Sequence, residues 1–287
     1  MKKTPDFDAA AEFMAGHARV LDRRVFQRLF QGGAPEPVRD AVAAYRNDDG
    51  GFGHALEPDL RAAASQPAAV EMALRIMDAA GAWDEQLVRD AIDWLTSIAP
   101  SQGGATFVLP ALSQGPHAPW WVPAEGNPVS LIQTGQIAGV LYACGFTHPW
   151  RDVATEVMWR GIEQLTEPNA YEMFGVLAFL QHVPDRPRAA DALRRIGPLL
   201  HALVALDPNA EGETHSPLDF APLPDSIARS LFDDATIEAH VDHLAGAQRE
   251  DGGWTFNWPA WSPAAEADWR GFLTVDALHV LRANGRA

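Results

Sequence analysis

Cysteine is nearly missing: Cys144 is the only one in the chain, which excludes an internal disulfide and any site built from several thiolates, and fits a reducing compartment. Long apolar runs are missing too. No stretch approaches the roughly 18 consecutive apolar residues of a membrane-spanning helix. The opening MKKTPDFDAAAEF sets two lysines before acidic and polar residues, where a secretory signal would carry an apolar run. The expectation is a cytoplasmic protein with no membrane span. Positive charge is scarce, 22 basic against 38 acidic residues for a net −16 and a pI near 4.9. The overall field would repel a nucleic-acid backbone or an anionic membrane surface, so no nucleic-acid partner is expected. No alternating β pattern claims any long stretch, and that leaves helices.

What is present is ordinary globular material, 47% hydrophobic and 21% charged, enough for a sizeable core. The simplest organisation is one domain over residues 1–287. Its main signal is internal repetition. Three times an amphipathic helix leads to adjacent glycines, then a long loop rich in Pro and Trp, a second helix and a closing glycine. The first copy runs from Val38 through Asp49-Gly50-Gly51-Phe52 to Gly81. The second starts near Leu87 and passes Gln102-Gly103-Gly104 to Gly145. The third starts near Ile237 and passes Asp251-Gly252-Gly253-Trp254 to Gly285. Each closing glycine stands where a left-handed residue ends a helix, and each glycine pair permits a turn that a β-carbon would obstruct. Ile237, Val241, Leu244 and Gln248 mark one stripe of a helix. Further helices are expected near 7–18, 20–31, 151–165, 170–182 and 188–206, about a dozen in all. Helix pairs that cannot bury an apolar face alone stack on their neighbours. The first and third copies are the most alike and lie near opposite ends of the chain, which favours closure into a ring, with residues 1–35 packed against the third copy.

Residues 244–254 read LAGAQREDGGW, with Leu244, Gln248, Gly252 and Trp254 at the spacing of a QW repeat. In this the chain resembles squalene and hopene cyclases, and its helix-plus-glycine tails are similar to those of the same superfamily, including the β subunits of protein prenyltransferases. The resemblance implies an all-α fold, a closed α/α toroid of inner and outer helices around a central cavity. It also implies that Gln248 and Trp254 are structural clamps. The family's catalytic motifs do not carry over. Asp6-Phe7-Asp8-Ala9 and Phe232-Asp233-Asp234-Ala235 fail the D-x-D-D acid motif. Neither Asp48-Asp49 nor Asp233-Asp234 continues as the magnesium-binding D-D-x-x-D. Cys144 lacks the Asp two residues earlier that a zinc site of the prenyltransferase kind would need, and reads as a small buried filler. No metal or cofactor is expected.

In such toroids the loops leading into inner helices rim the cavity. The first, FGHALEPDLRAAASQP, carries His54, Glu57, Asp59, Arg61 and Gln66; the second carries Trp120 and Trp121; the third, TFNWPAWSPAAEADWRG, carries Trp258, Trp261 and Trp269. Connectors normally favour small polar residues over Trp. Aromatic faces stabilise cations through their quadrupole and also stack on sugars; equally, these tryptophans would plug one end of a ring. A carboxyl desolvated against aromatics stays protonated and can act as an acid, while one beside arginine is held ionised. That assigns Glu57 as proton donor and Asp59 as the partner of Arg61, with a simple loop salt bridge as the competing reading. His54, Gln66 and the five tryptophans are the candidate binding residues. His240 and His243 share a helix face at metal-pair spacing but lack a third ligand, and read as a solvated face. Asp219 and Asp225, in an irregular lid-like segment over 217–226, are open alternatives for the acid. The leading expectation is a protein that binds or transforms a hydrophobic isoprenoid-type molecule. Alternatives are a non-catalytic binding module of the same fold and a carbohydrate-active toroid using paired carboxylates.

Overall fold

In the computed structural model, which describes residues 3–286, the chain forms twelve α-helices and, among those residues, no β-sheet. It divides into two compact units, Pro35–Leu200 and a second made of both chain ends, residues 1–34 with His201–Ala287.

The Pro35–Leu200 unit contains α3 (Glu36–Ala43), α4 (Pro67–Ala79), α5 (Glu85–Ser97), α6 (Leu131–Ala143), α7 (Pro149–Gln164), α8 (Ala170–His182) and α9, which starts at Arg186 and ends at His201. It is built in layers. Helices α4, α6 and α8 lie side by side, and α3, α5 and α7 pack on them from outside. Burial follows from this. Helix α4 is buried at ten positions around most of its circumference, whereas α5 buries only the stripe Leu87, Val88, Ala91, Ile92, Trp94 and Leu95. The α6–α8 contact is close because it is made by glycines: a β-carbon at Gly135 or Gly139 would run into the backbone of Gly175 or Ala178.

The unit of both chain ends contains α1 (Phe7–His17), α2 (Val20–Phe30), the one-turn α10 (Pro217–Phe220), α11 (Asp234–Gly246) and α12 (Pro263–Ala283). Here α12 packs against α1, α2 and α11. Helices α1 and α2 therefore do pack on the third copy of the repeat, as expected. Arg282 of α12 lies over the Phe30 ring at 4.6 Å, and Phe7, Phe26 and Phe30 form an aromatic cluster beneath α1 and α2.

The repeat is visible in the hydrogen bonds. In the first and third copies the aspartate of D-G-G caps the second glycine, Asp49 to Gly51 N at 2.9 Å and Asp251 to Gly253 N at 3.1 Å. The turns close alike, Asn47 N to Gly51 O and Arg249 N to Gly253 O, both at 2.9 Å. Positive φ falls on the first glycine, 93° at Gly50 and 90° at Gly252. At the second glycine the constraint is space. A β-carbon at Gly253 would sit 2.7 Å from the Phe13 ring, and one at Gly51 would sit 2.6 Å from the Ser65 β-carbon. The closing glycines are left-handed as expected, with φ of 57° at Gly81, 66° at Gly145 and 73° at Gly285. Each is followed by the bond that ends a helix in a Schellman motif, such as Phe146 N to Leu141 O at 2.9 Å.

Two segments differ from expectation. The third loop ends at Ser262, whose hydroxyl accepts from Ala265 N at 3.1 Å, and Pro263 opens α12, so Glu266, Asp268, Trp269 and Arg270 stand on a helix. The segment 217–226 is not a loose lid at its start, because Pro217, Leu218 and Phe220 are buried and Ser216 with Asp219 forms a capping box.

Candidate functional site

The first loop is held from below by a polar chain. Asp49 Oδ1 accepts from Ser65 Oγ at 2.7 Å, Asn47 Nδ2 donates to Ser65 Oγ at 2.9 Å, and Asn47 Oδ1 meets His54 Nε2 at 2.8 Å. His54 thus braces the loop with an exposed ring. His54 and Ala55 both take left-handed backbone, φ 56° and 64°, a strained pair for residues that carry a β-carbon. The bend delivers Glu57 and Asp59 into the interior, with 5% and 4% of their surface exposed. Arg61 stays half-buried and donates from Nη1 to Pro58 O at 3.4 Å.

This loop is sewn to the second. Arg61 N donates to Pro116 O at 3.0 Å and Ala118 N to Asp59 O at 2.9 Å. Gln66, expected to bind a ligand, is buried and engaged with the backbone of Leu109, accepting from its N–H at 2.8 Å and facing its carbonyl at 3.5 Å. Trp121 stacks on Phe107 at 4.6 Å over Leu60, Ala68, Val108 and Leu112. Trp120 points outward and is 44% exposed. One unit therefore gathers Glu57, Asp59, Arg61, Gln66 and Trp121.

The third-loop tryptophans belong to the other unit. Trp258 stacks on Phe256 at 4.5 Å and meets Trp269 edge-on at 5.6 Å, and Trp269 meets Phe272 at 5.7 Å. Trp261 is half-buried. Next to α12, Asp22 is fully enclosed, with Arg19 on both its oxygens at 2.8 and 3.2 Å. Burial pushes the Asp22 carboxyl up despite Arg19.

Asp219 is exposed at its surface although protein crowds its carboxyl; burial raises its pKa, while the Ser216 N–H at 2.6 Å and the imidazoles of His215 and His240 pull it down. His240 is buried and not on a solvated face, with Nε2 3.1 Å from Leu206 O, and burial lowers its pKa. His243 is exposed. Glu71 on α4 is a further buried acid, 3.1 Å from Arg75 Nε and pushed up by desolvation. The sequence gives little sign of Asp22 or Glu71, since each sits in a helix of ordinary composition and only packing shows that its face is the dry one. Cys144 is half-exposed at the end of α6, its thiol donating to Asp78 at 3.1 Å; burial and that neighbouring carboxylate push it up to about 12, which disfavours a thiolate. Among the described residues no group of three His, Cys, Asp or Glu is placed to hold a metal ion.

The chain matches no protein-family model and no curated protein. Among solved structures it is similar to a variant of the type II terpene cyclase MstE from Scytonema without ligand, with a TM-score of 0.55 and 11% identity over 97% of this chain and 86% of that one. A second MstE variant, in complex with its substrate geranylgeranyl dihydroxybenzoate, matches with a TM-score of 0.53 and 12% identity over 97% and 88%. At such identity the likeness shows the fold, the all-helical α/α-toroid fold of terpene cyclases.

Proposed function

We propose that the protein binds a hydrophobic isoprenoid-type molecule against its loop aromatics and acts on it by protonation from a carboxyl group. The observation that carries this reading is the fold likeness, spanning nearly the whole chain, to a cyclase that holds a geranylgeranyl-bearing substrate. Supporting it is the Glu57 carboxyl, enclosed by protein with 5% of its surface exposed. Glu57 and Asp219 are the two candidate donors. Glu57 lies on the strained loop beside Arg61 and Asp59, the proposed ionised pair that orients it. Asp219 has solvent contact and two imidazoles through which a proton could be restored. In the proposed step the carboxyl O–H protonates a terminal alkene, the cation is stabilised by aromatic faces, and loss of a proton elsewhere leaves an isomer of unchanged mass. Acting as one domain of 287 residues is part of this proposal.

The test is incubation with geranylgeranyl dihydroxybenzoate and mass-resolved product analysis of the unmodified protein, Glu57→Gln and Asp219→Asn. The expected result is an isomeric product that one of the two substitutions abolishes while ligand binding persists. Turnover unchanged in both variants would remove these carboxyls from the mechanism, and binding without any product would favour a non-catalytic module.

A further inference from the structure

Residues 284–286, the turn that follows α12, reach two other elements of their unit at once. Asn284 Nδ2 donates to Pro222 O at 2.8 Å, and its Oδ1 accepts from Arg229 Nη2 at 3.0 Å. Arg229 Nη1 in turn donates to Ala221 O at 3.4 Å. Both carbonyls directly follow α10, the single turn that carries Asp219. Arg286 comes after the left-handed Gly285, and only 1% of its surface is exposed. Its guanidinium grips α11. Nε and Nη2 donate to Asp242 Oδ1 at 3.1 and 3.0 Å, and Nη2 lies 2.6 Å from Glu238 Oε1.

Helix geometry gives this grip a direction. Glu238 and Asp242 stand four residues apart on one face of α11, and His240, between them, turns to the opposite side. That side is buried. His240 Nε2 lies 3.1 Å from Leu206 O, and its ring is within electrostatic reach of Asp219 on α10, Asp207 in the segment before it and His243 on its own helix. Helices α10 and α11 are in contact. Asn284 thus holds the helix of Asp219 by the chain that leaves it, and Arg286 holds the helix of His240 from behind. An ion cluster around a buried arginine adds little net stability, because desolvation offsets most of the attraction; its better-attested use is to fix register.

We propose that Asn284 and Arg286 are positioning residues, which hold α10 and α11 in the register that sets the Asp219 carboxyl against the His240 imidazole. The inference deepens the reading of Asp219 as a candidate proton donor and takes its catalytic meaning from it. In that reading the imidazole restores the proton that the carboxyl gives away, and proton transfer depends on the placement of the two groups. They stand on separate helices, so a shift of either helix parts them while leaving both helices formed.

The test is an NMR pH titration of His240, assigned by comparison with His240→Gln, in the full chain carrying Arg286→Lys or Asn284→Ala. Both substitutions keep the formal charge, so a moved titration reports placement. Lys lacks the fork that spans Glu238 and Asp242, and Ala lacks the bond to Pro222. Burial holds the His240 pKa below its ordinary value, and a loosened register should raise it in each variant, as a roughly threefold gain in proton affinity. His54 and His117, in the other unit, should titrate unchanged. With geranylgeranyl dihydroxybenzoate as substrate, the pH profile of kcat should move in both variants while KM is kept. A folded variant that leaves His240 unmoved overturns the proposal for the residue it replaces, even where its thermal midpoint falls, since that residue would then be a structural clamp alone. A shift shared by His54 and His117 also overturns it, as general loosening. Absence of product from the unmodified protein would instead remove Asp219 as a donor, and the titration would still decide the positioning.

Discussion

Gln248 holds both backbone groups of Asp6: its Oε1 accepts from Asp6 N and its Nε2 donates to Asp6 O, each at 2.7 Å. Asp6 is the N-cap of α1, and the same Nε2 also reaches Gly252 O at 2.9 Å. One amide thus joins the beginning of the chain to the D-G-G turn near its end. At about 1 kcal/mol per net hydrogen bond, Gln248→Ala should cost about 2 kcal/mol in urea unfolding. Amide exchange should quicken first in α1.

Gly252 of the turn and the closing Gly285 should respond differently. Gly252→Ala meets two obstacles, a φ of 90° and the carbonyl of Ala9 in the space a β-carbon would need. Gly285→Ala meets only its φ of 73°, with open space around it. Thermal melts should show a loss of about 1 kcal/mol at Gly285 and clearly more at Gly252. Gly253→Val should also be strongly destabilising, through Phe13.

Thr134 and Thr274 do the same work in two copies of the repeat. Their hydroxyls accept from Ala105 N at 2.9 Å and Trp254 N at 3.0 Å, the residues just after the second glycine. Both are fully buried. Replacing either with Val strands a buried N–H, at about 1–3 kcal/mol. Ser should rescue most of that in chemical denaturation.

These equivalences were legible in the sequence as a pattern of glycines, aspartates and helical stripes, because a turn between paired helices leaves few backbone choices. The helices near 7–18, 20–31 and 170–182 fell where expected for the same reason. Trp269 and Arg270 were read into a loop, although S-P-A-A-E announces a helix start by its Ser cap and leading Pro. The buried state of Asp22, Glu71 and His240 was not legible, because which face of a helix is dry depends on partners distant in sequence. Gln66 was legible as important but not as a backbone clamp on Leu109, a contact across 43 residues.

Glu71 yields a pH prediction. Burial raises its folded-state pKa above the ordinary 4.5. Its contribution to stability is therefore fully present below that ordinary value and is lost as pH rises through the raised one. Glu71→Gln removes the ionisation penalty. The variant should melt above the unmodified protein at pH 8, and the gap should shrink or reverse at pH 4. A gap independent of pH would mean that folding does not raise the Glu71 pKa.

The central claim is that an isoprenoid-type molecule binds within this fold, and native mass spectrometry with geranylgeraniol, with a β-linked glucose oligosaccharide in parallel, tests it most directly. The account predicts a saturable one-to-one complex with the prenyl alcohol, accompanied by a change in tryptophan emission, and no complex with the sugar. A complex with the oligosaccharide alone, or with neither, would contradict it.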